Sequence, residues 1–260
     1  MDLRIKGKRA LISGGSHGIG LATARALADE GCSVAICARD EHRLAQEVYE
    51  LRAQGVEALG VSADVLVGGD IERVMKAVID TWGTIDILVN NVGGGGRWGT
   101  PTVEETLDDV WVDVYNKNAM AAVRFTKLAI PYMRKQRWGR VVTIASILGC
   151  EGGGRPWFNM AKSAEISLMK TLAMTPYLIR DGLTFNTVAP GAIMIPDTGW
   201  EEISKKSPSE FAEKIERDCP LGRLGTPEEV ATVIVFACSE SARLLNGATI
   251  VVDGGESRCF

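Results

Sequence analysis

The sequence predicts a single α/β domain built on a doubly wound parallel sheet. Short apolar runs rich in β-branched residues recur along the chain without strict alternation, the pattern of strands buried on both faces. Segments with apolar residues at helical spacing separate these runs. A glycine-rich loop directly follows the first run, at the junction of strand and helix. Repeated strand–helix alternation implies right-handed crossovers with helices on both faces of one sheet.

The runs are Arg9–Ser13, Ser33–Cys37, Ala58–Val61, Asp86–Val89, Arg140–Ala145, Leu183–Val188 and Ala248–Val252. Between them, Leu21–Glu30, Glu41–Arg52 and Ile71–Trp82 read as helices. Two longer helices are expected over Leu107–Lys135 and Trp157–Ile179. The segment Met194–Arg217 follows a Pro-Gly turn, carries Asp197, Glu201, Glu202, Lys205 and Lys206, and interrupts the alternation. It is expected to form a helical lid over a pocket. No linker, repeat or low-complexity stretch divides the 260 residues, so they are read as one domain.

Hydrophobic residues make up 46% of the chain and charged residues 24%, a globular mix. The net charge of −4 argues against a general nucleic-acid binder, which needs a basic excess. No apolar stretch reaches the roughly 18 residues of a membrane span, and Met1–Lys6 lacks the apolar core of a signal peptide. Cys32, Cys37, Cys150, Cys219, Cys238 and Cys259 show no Cys-x-x-Cys spacing. They read as reduced thiols of a cytoplasmic protein, not as disulfides or zinc ligands. His17 and His42 are the only histidines and stand in no ligand cluster, so no metal site is expected.

The first strand leads through Ser13 into glycines at 14, 18 and 20, and then into a helix beginning near Ile19. Glycine lets the backbone turn sharply and approach a ligand closely. The helix that follows offers unpaired N–H groups to a pyrophosphate. In this strand–helix context the glycines point to a dinucleotide cradle. An NAD-selecting fold usually ends its second strand with an acid for the ribose hydroxyls. This chain has Ala38-Arg39 there, and a forked guanidinium pairs well with a 2′-phosphate. Ser16 and His17 face it from the first loop, so NADP(H) is expected over NAD(H). The alternative is an ordinary surface arginine.

Taken together, Ser13-Gly14-x-x-x-Gly18-Ile19-Gly20, Asp64, Asn90-Asn91-Val92-Gly93, Asn118, Ser146, Phe158-x-x-x-Lys162, Asn186, Pro190-Gly191 and Asp253-Gly254-Gly255 resemble the short-chain dehydrogenase/reductase family over nearly the whole length. The resemblance implies a Rossmann-like, seven-stranded parallel sheet. It places Asp64 and Val65 near the adenine, and the backbone after Asn90, including Asn91 and Gly93, near the nicotinamide ribose. It also assigns Pro190, Gly191 and Ile193 to the cofactor side. The implied activity is hydride transfer between a nicotinamide and the carbon of a ketone or secondary alcohol.

Such transfer needs a matching proton transfer at oxygen, for which a phenol suits if its pKa, near ~10 in water, is pulled down. Lys162 lies four residues after position 158, on the same helical face, where its ammonium would lower a phenol's pKa and bind the ribose. Ser146 would hydrogen-bond the substrate oxygen. By the resemblance, Asn118 would continue the proton relay. Position 158, however, is phenylalanine. Val92 replaces the family's usual alanine, and Ile195 stands where a threonine often meets the nicotinamide amide. Tyr115, Tyr132 and Tyr177 are not placed by motif to substitute.

Because Asn118, Ser146 and Lys162 are all retained, Phe158 is expected to mark a tyrosine-to-phenylalanine variant of an active dehydrogenase acting on a small carbonyl or alcohol metabolite. Two alternatives are a 3-oxoacyl-carrier-protein reductase and a natural non-catalytic NADP(H)-binding protein. Arg134, Lys135 and Arg137 could receive a carrier in the first, but a basic cluster at a helix end is what stabilisation of the helix dipole already predicts, and that plainer reading is preferred. Trp157 and the Gly93–Gly96, Arg97, Trp98 stretch are candidate pocket edges, with plain packing as the alternative. Glu104, Glu105, Asp108 and Asp109 read as a solvated helix face. The resemblance also implies a homodimer or homotetramer through the two long helices. An apolar row, Ile166, Met169, Leu172, Ala173 and Tyr177, is expected to face the second subunit, with Gly247–Phe260 pairing in a tetramer.

Overall fold

A computed structural model describes residues 1–259 of the chain. Seven strands form one parallel sheet: β1 (Arg9–Ser13), β2 (Ser33–Ala38), β3 (Ala58–Ser62), β4 (Ile87–Asn90), β5 (Gly139–Ile144), β6 (Leu183–Pro190) and β7 (Thr249–Val252). Their spatial order is β3-β2-β1-β4-β5-β6-β7. Each apolar run became a strand, with ends shifted by one or two residues. Leu11 stands opposite Ala35 on β2 and Leu88 on β4, so the sheet's centre is apolar on every side.

Two helical layers cover the sheet. Ala10 and Ile12 of β1 face α1 (Gly18–Asp29), α2 (Glu41–Ala53) and α10 (Pro227–Ala237). Leu11 faces the other layer, with α3 (Asp70–Trp82), α5 (Ala121–Lys135) and α6 (Pro156–Ala173). The alternation follows from the two-residue period of side chains along a strand. Phe125, Phe185 and Leu27 are fully buried in these layers, and each such side chain contributes about 1.5–3 kcal/mol. Local chemistry sets several ends. Thr226 and Glu229 close a reciprocal capping box at the start of α10, with Pro227 in its first turn. Asp40 caps α2 by accepting from Arg43 N at 3.0 Å.

Both long helices differ from expectation. The first is α4 (Asp108–Tyr115) and α5 joined by a single π turn, Asn116–Met120. The second stops at Ala173, and a separate turn, α7 (Pro176–Ile179), follows. Pro176 has no N–H to continue the ladder, and its ring disfavours a helical residue before it. The apolar row expected to face a second subunit is also split. Met169 is fully buried in the core beneath α6, whereas Tyr177 is 59% exposed. The break before α7 rotates the later residues off the face carrying the earlier ones. Phe260, the last residue of the expected Gly247–Phe260 pairing segment, lies outside the described residues.

The expected lid is helical, as α8 (Gly199–Lys206) and α9 (Pro208–Asp218). Trp200 and Phe211 meet edge-on at 6.5 Å and hold the pair together. Among the described residues no helix is long and apolar enough to cross a membrane, and no group of His, Cys, Asp and Glu could hold a metal ion.

Candidate active site

β1 and β4 are neighbours, yet the chain leaving β1 packs on one face and the chain leaving β4 on the other. A crevice therefore opens beyond their carboxyl ends. Ser13 Oγ accepts the N–H groups of Asn91 at 3.0 Å and Val92 at 3.1 Å. The Asn91 amide returns bonds to the carbonyls of Ser13 and Gly14, each at 3.0 Å. Ser13, almost fully buried, is thus a brace under the cradle and not part of its wall. Gly14 turns at φ +66° and Gly18 at φ +54°, a region that favours glycine. A Cβ on Gly20 would overlap the Gly14 carbonyl oxygen and the Asn91 amide, which explains the third glycine.

The cleft above has a volume of about 380 Å³. Gly14, Ser16, His17, Arg39, Asp64, Val65, Asn91 and Gly93 line it, together with Cys37, Ala38, Asp40, Arg43, Ala63, Val92 and Lys117. Ile19 lies in the first turn of α1, two residues after His17, and is not among the lining residues. Pro190 ends β6, next to β5, and Gly191 and Ile193 follow it; none of the three is among the residues lining this cleft. Gly191 instead packs against Asp253 and Glu256, and Ile193 bridges to Gly225.

Arg43 and Lys117 are wall residues that sequence motifs did not mark. Arg43 lies one turn beyond Arg39, and Lys117 is adjacent to Asn118 in the π turn. Burial, with Arg39 nearby, holds the Lys117 ammonium below its usual range. Arg39 Nη1 lies 4.0 Å from Asp64 Oδ2, a loose contact that leaves the guanidinium 69% exposed on its side chain. This end of the cleft sets Arg39 and Arg43 beside Asp40 and Asp64, and its two guanidinium groups fit a phosphate monoester, while Lys117 Nζ lies 4.6 Å over the Trp98 ring. The segment leading to α8 latches over it. His17 Nε2 bonds the Pro196 carbonyl at 2.7 Å, Arg43 pairs with Asp197 at 3.2 Å, and Ile195 packs on Gly18.

At the other end, Lys162 Nζ donates to the Ile144 carbonyl at 2.9 Å and to Glu165 Oε2 at 3.0 Å. It lies 5.6 Å from the centre of the Phe158 ring. Asn118, fully buried in the π turn, donates to the carbonyls of Gly94 and Val114 and accepts from Gly94 N. A π turn displaces one side chain from the helical ladder, here pinning the glycine loop. Ser146 caps a short 3-10 turn, accepting from Leu148 N at 3.2 Å. Trp157 is buried edge-on against Trp111 and donates to the Gly95 carbonyl, so it is packing that also anchors the loop. Gly96 lies over the Phe158 ring, in contact range for a side chain placed there. Of the four tyrosines, only Tyr115 joins the small cluster around Phe158.

Residues 14–257 match the family model described as enoyl-(acyl carrier protein) reductase. The chain is 33% identical over 251 residues to rabbit (Oryctolagus cuniculus) dehydrogenase/reductase SDR family member 4, covering 95% of this chain and 93% of that protein. The chain belongs to the short-chain dehydrogenase/reductase family. It is an oxidoreductase of the class that works by hydride transfer with a nicotinamide dinucleotide. A putative ketoacyl reductase of granaticin polyketide synthesis from Streptomyces violaceoruber is 35% identical over 254 residues, covering 95% of this chain and 92% of that one. In structure, L-sorbose reductase from Gluconobacter frateurii, solved with NADPH and L-sorbose, superposes with a TM-score of 0.92 at 34% identity, covering all of both chains.

Three other expectations meet the structure on its surface. Arg134 and Arg137 both pair with Asp181, at 2.8 and 3.1 Å, which neutralises part of the basic patch. Glu104, Glu105, Asp108 and Asp109 are all exposed, but only Asp108 and Asp109 lie on a helix, in the first turn of α4, while Glu104 and Glu105 belong to the turn before it. All six cysteines are free, but Cys150 is exposed and Cys259 half-buried, so not every thiol belongs to the core.

The tight contact at Gly20 yields a test for this short-chain dehydrogenase/reductase cradle. Gly20→Ala should lower folding stability by about 1–3 kcal/mol through overpacking and weaken dinucleotide binding by displacing Gly14. A denaturant midpoint and a cofactor titration both unchanged from the parent would show that the contact costs nothing.

Proposed function

We propose that residues 1–260 form one NADP(H)-binding domain whose pocket takes a ketone or secondary alcohol of a small or medium metabolite, and whose turnover is held back by Phe158. The observation that carries this is the Lys162 ammonium 5.6 Å from the centre of the Phe158 ring and, with Asn118, beside Gly93; the retained Ser146 supports the same reading. The NADPH bound by the L-sorbose reductase supports the cofactor reading, as do the cations at the Arg39 end of the cleft. Reduced thiols support a cytoplasmic setting.

When bound, the dinucleotide supplies or accepts the hydride. Gly14 and the start of α1 would receive its pyrophosphate, and Arg39, with Ser16, its 2′-phosphate. Lys162 would hold the nicotinamide ribose. Ser146, half-buried at the end of β5, would donate to the substrate oxygen. The remaining requirement is a proton delivered to or taken from that oxygen, and a phenyl ring has none to exchange. Phe158 keeps the shape of a tyrosine and the rest of the constellation, which supports reading it as a single-atom deletion from a working site. The ketoacyl reductase named above supports a narrower alternative, reduction of acyl-carrier thioesters; the pairing of Arg134 and Arg137 with Asp181 leaves less free charge to receive a carrier.

Restoring the hydroxyl is the direct test. Phe158→Tyr should raise NADPH-dependent kcat/KM by roughly 10²–10⁴-fold, the range for a positioned acid/base, while cofactor affinity stays nearly constant. A tyrosine variant that binds NADPH but stays inert across a broad panel of ketones and alcohols, acyl thioesters included, would sink the reading.

Arg39→Asp both removes the phosphate partner and adds repulsion. It should weaken NADPH binding by at least about tenfold more than NADH binding, a difference of ~1.4 kcal/mol. Equal losses for the two cofactors in titration would show that Arg39 does not meet the phosphate.

The assembly is proposed as a homodimer or homotetramer through α4, α5 and α6. Leu107, Val112, Met160 and Met174 are exposed apolar side chains on or beside these helices and support this surface, in place of the row centred on Met169. Sedimentation at micromolar concentration should show a species larger than the 28.0 kDa chain. A monomer alone would overturn the proposal.

A further inference from the structure

Glu165 lies just under one turn beyond Lys162 on α6 and is 1% exposed, while Lys162 is 4% exposed. The family motif has no use for a carboxylate at this depth, and a buried charge is costly unless paired. Its partner is Lys162. Nζ gives one proton to Glu165 Oε2 and one to the Ile144 carbonyl, leaving the third of the ammonium's protons uncommitted. Nζ borders Gly93: a Cβ built there would stand 3.0 Å from Nζ and 2.9 Å from Asn118 Oδ1. This is the side of the cleft assigned above to the nicotinamide ribose. The Phe158 ring flanks the ammonium at 5.6 Å.

We propose that Glu165 is a positioning residue for the cofactor: it fixes Lys162 Nζ beside Gly93 and, when ionised, offsets the ammonium's charge, so that the grip of Lys162 on a dinucleotide depends on the Glu165 proton. This rests on the NADP(H) reading above. Burial raises the Glu165 carboxyl to about 7, against the lowering pull of Lys162. The charged group in contact with it is Lys162, at 3.0 Å. Below that pH the carboxyl is neutral, and the full ammonium charge strengthens hydrogen bonds to ribose oxygens. Above it, the ion pair draws the ammonium toward Glu165 and weakens those bonds.

The test compares NADPH with adenosine 2′,5′-bisphosphate, which carries the 2′-phosphate but lacks the nicotinamide ribose. Affinities are measured from about pH 6 to about pH 8.5, a range that spans the expected ionisation of Glu165, on the unmodified protein and on Glu165→Gln. In the unmodified protein, NADPH affinity should fall relative to the bisphosphate by roughly 3–10-fold as pH rises, a modest coupling between two sites. In Glu165→Gln the ratio should be flat, with bisphosphate affinity unchanged as proof of an intact fold. A flat ratio in the unmodified protein, or an equal fall in Glu165→Gln, overturns the proposal. Should the variant fail to fold, the ratio in the unmodified protein decides alone. If neither ligand binds at any pH, the NADP(H) reading falls, and this inference with it.

Discussion

Ser13 ends β1 with its hydroxyl toward β4, where it accepts the N–H groups of Asn91 and Val92, and the Asn91 amide answers by bonding the carbonyls of Ser13 and Gly14. These bonds join two strands whose following helices pack on opposite faces of the sheet. Without them the crevice between β1 and β4 would have no fixed width, because the loops diverge at once. With them, the Gly14 turn, the N-terminus of α1 and the backbone at Gly93 become one rigid surface. The unsatisfied groups of two strand ends are thereby used up inside the protein, as buried polar groups require.

The two ends of that surface differ in how their charges act. Arg39 is largely exposed, and its contact with Asp64 is loose. Water and salt screen such a pair, so the guanidinium stays available to a ligand. Lys162 and Glu165 are shut away from water, where a charge is felt strongly by its neighbours and must be balanced. On the proposed reading, the outer end would select a ligand by its phosphate, while the inner end would set the orientation and charge of a single ammonium. The latch of Pro196 and Asp197 onto His17 and Arg43 connects the lid to the outer end.

Much of this was legible in the sequence because backbone geometry restricts residue choice. Gly14 and Gly18 occupy positive φ, and Gly20 sits where a Cβ would strike the neighbouring loop. The strands were legible because a sheet buried on both faces tolerates little but apolar, β-branched residues. Pro176 marks the end of α6 in the sequence, but the apolar period runs on through it and conceals the break. Arg43 and Lys117 left no signal, because a lysine or arginine on a helix is ordinarily a solvated residue.

By itself, the sequence determined the sheet, the glycine loop, the family and the phenylalanine at position 158, all of which depend on residue type at a fixed spacing along the chain. Only the tertiary structure decided that Ser13 is a brace and that Met169 is core while Tyr177 faces outward. It alone decided that Glu165 is buried against Lys162. A glutamate three residues after a lysine on a helix is in sequence a solvated pair. It becomes a buried ion pair only because α6 lays that face against β5, β6 and the π turn, and burial is a property of what surrounds a residue in space, which spacing along one helix does not encode.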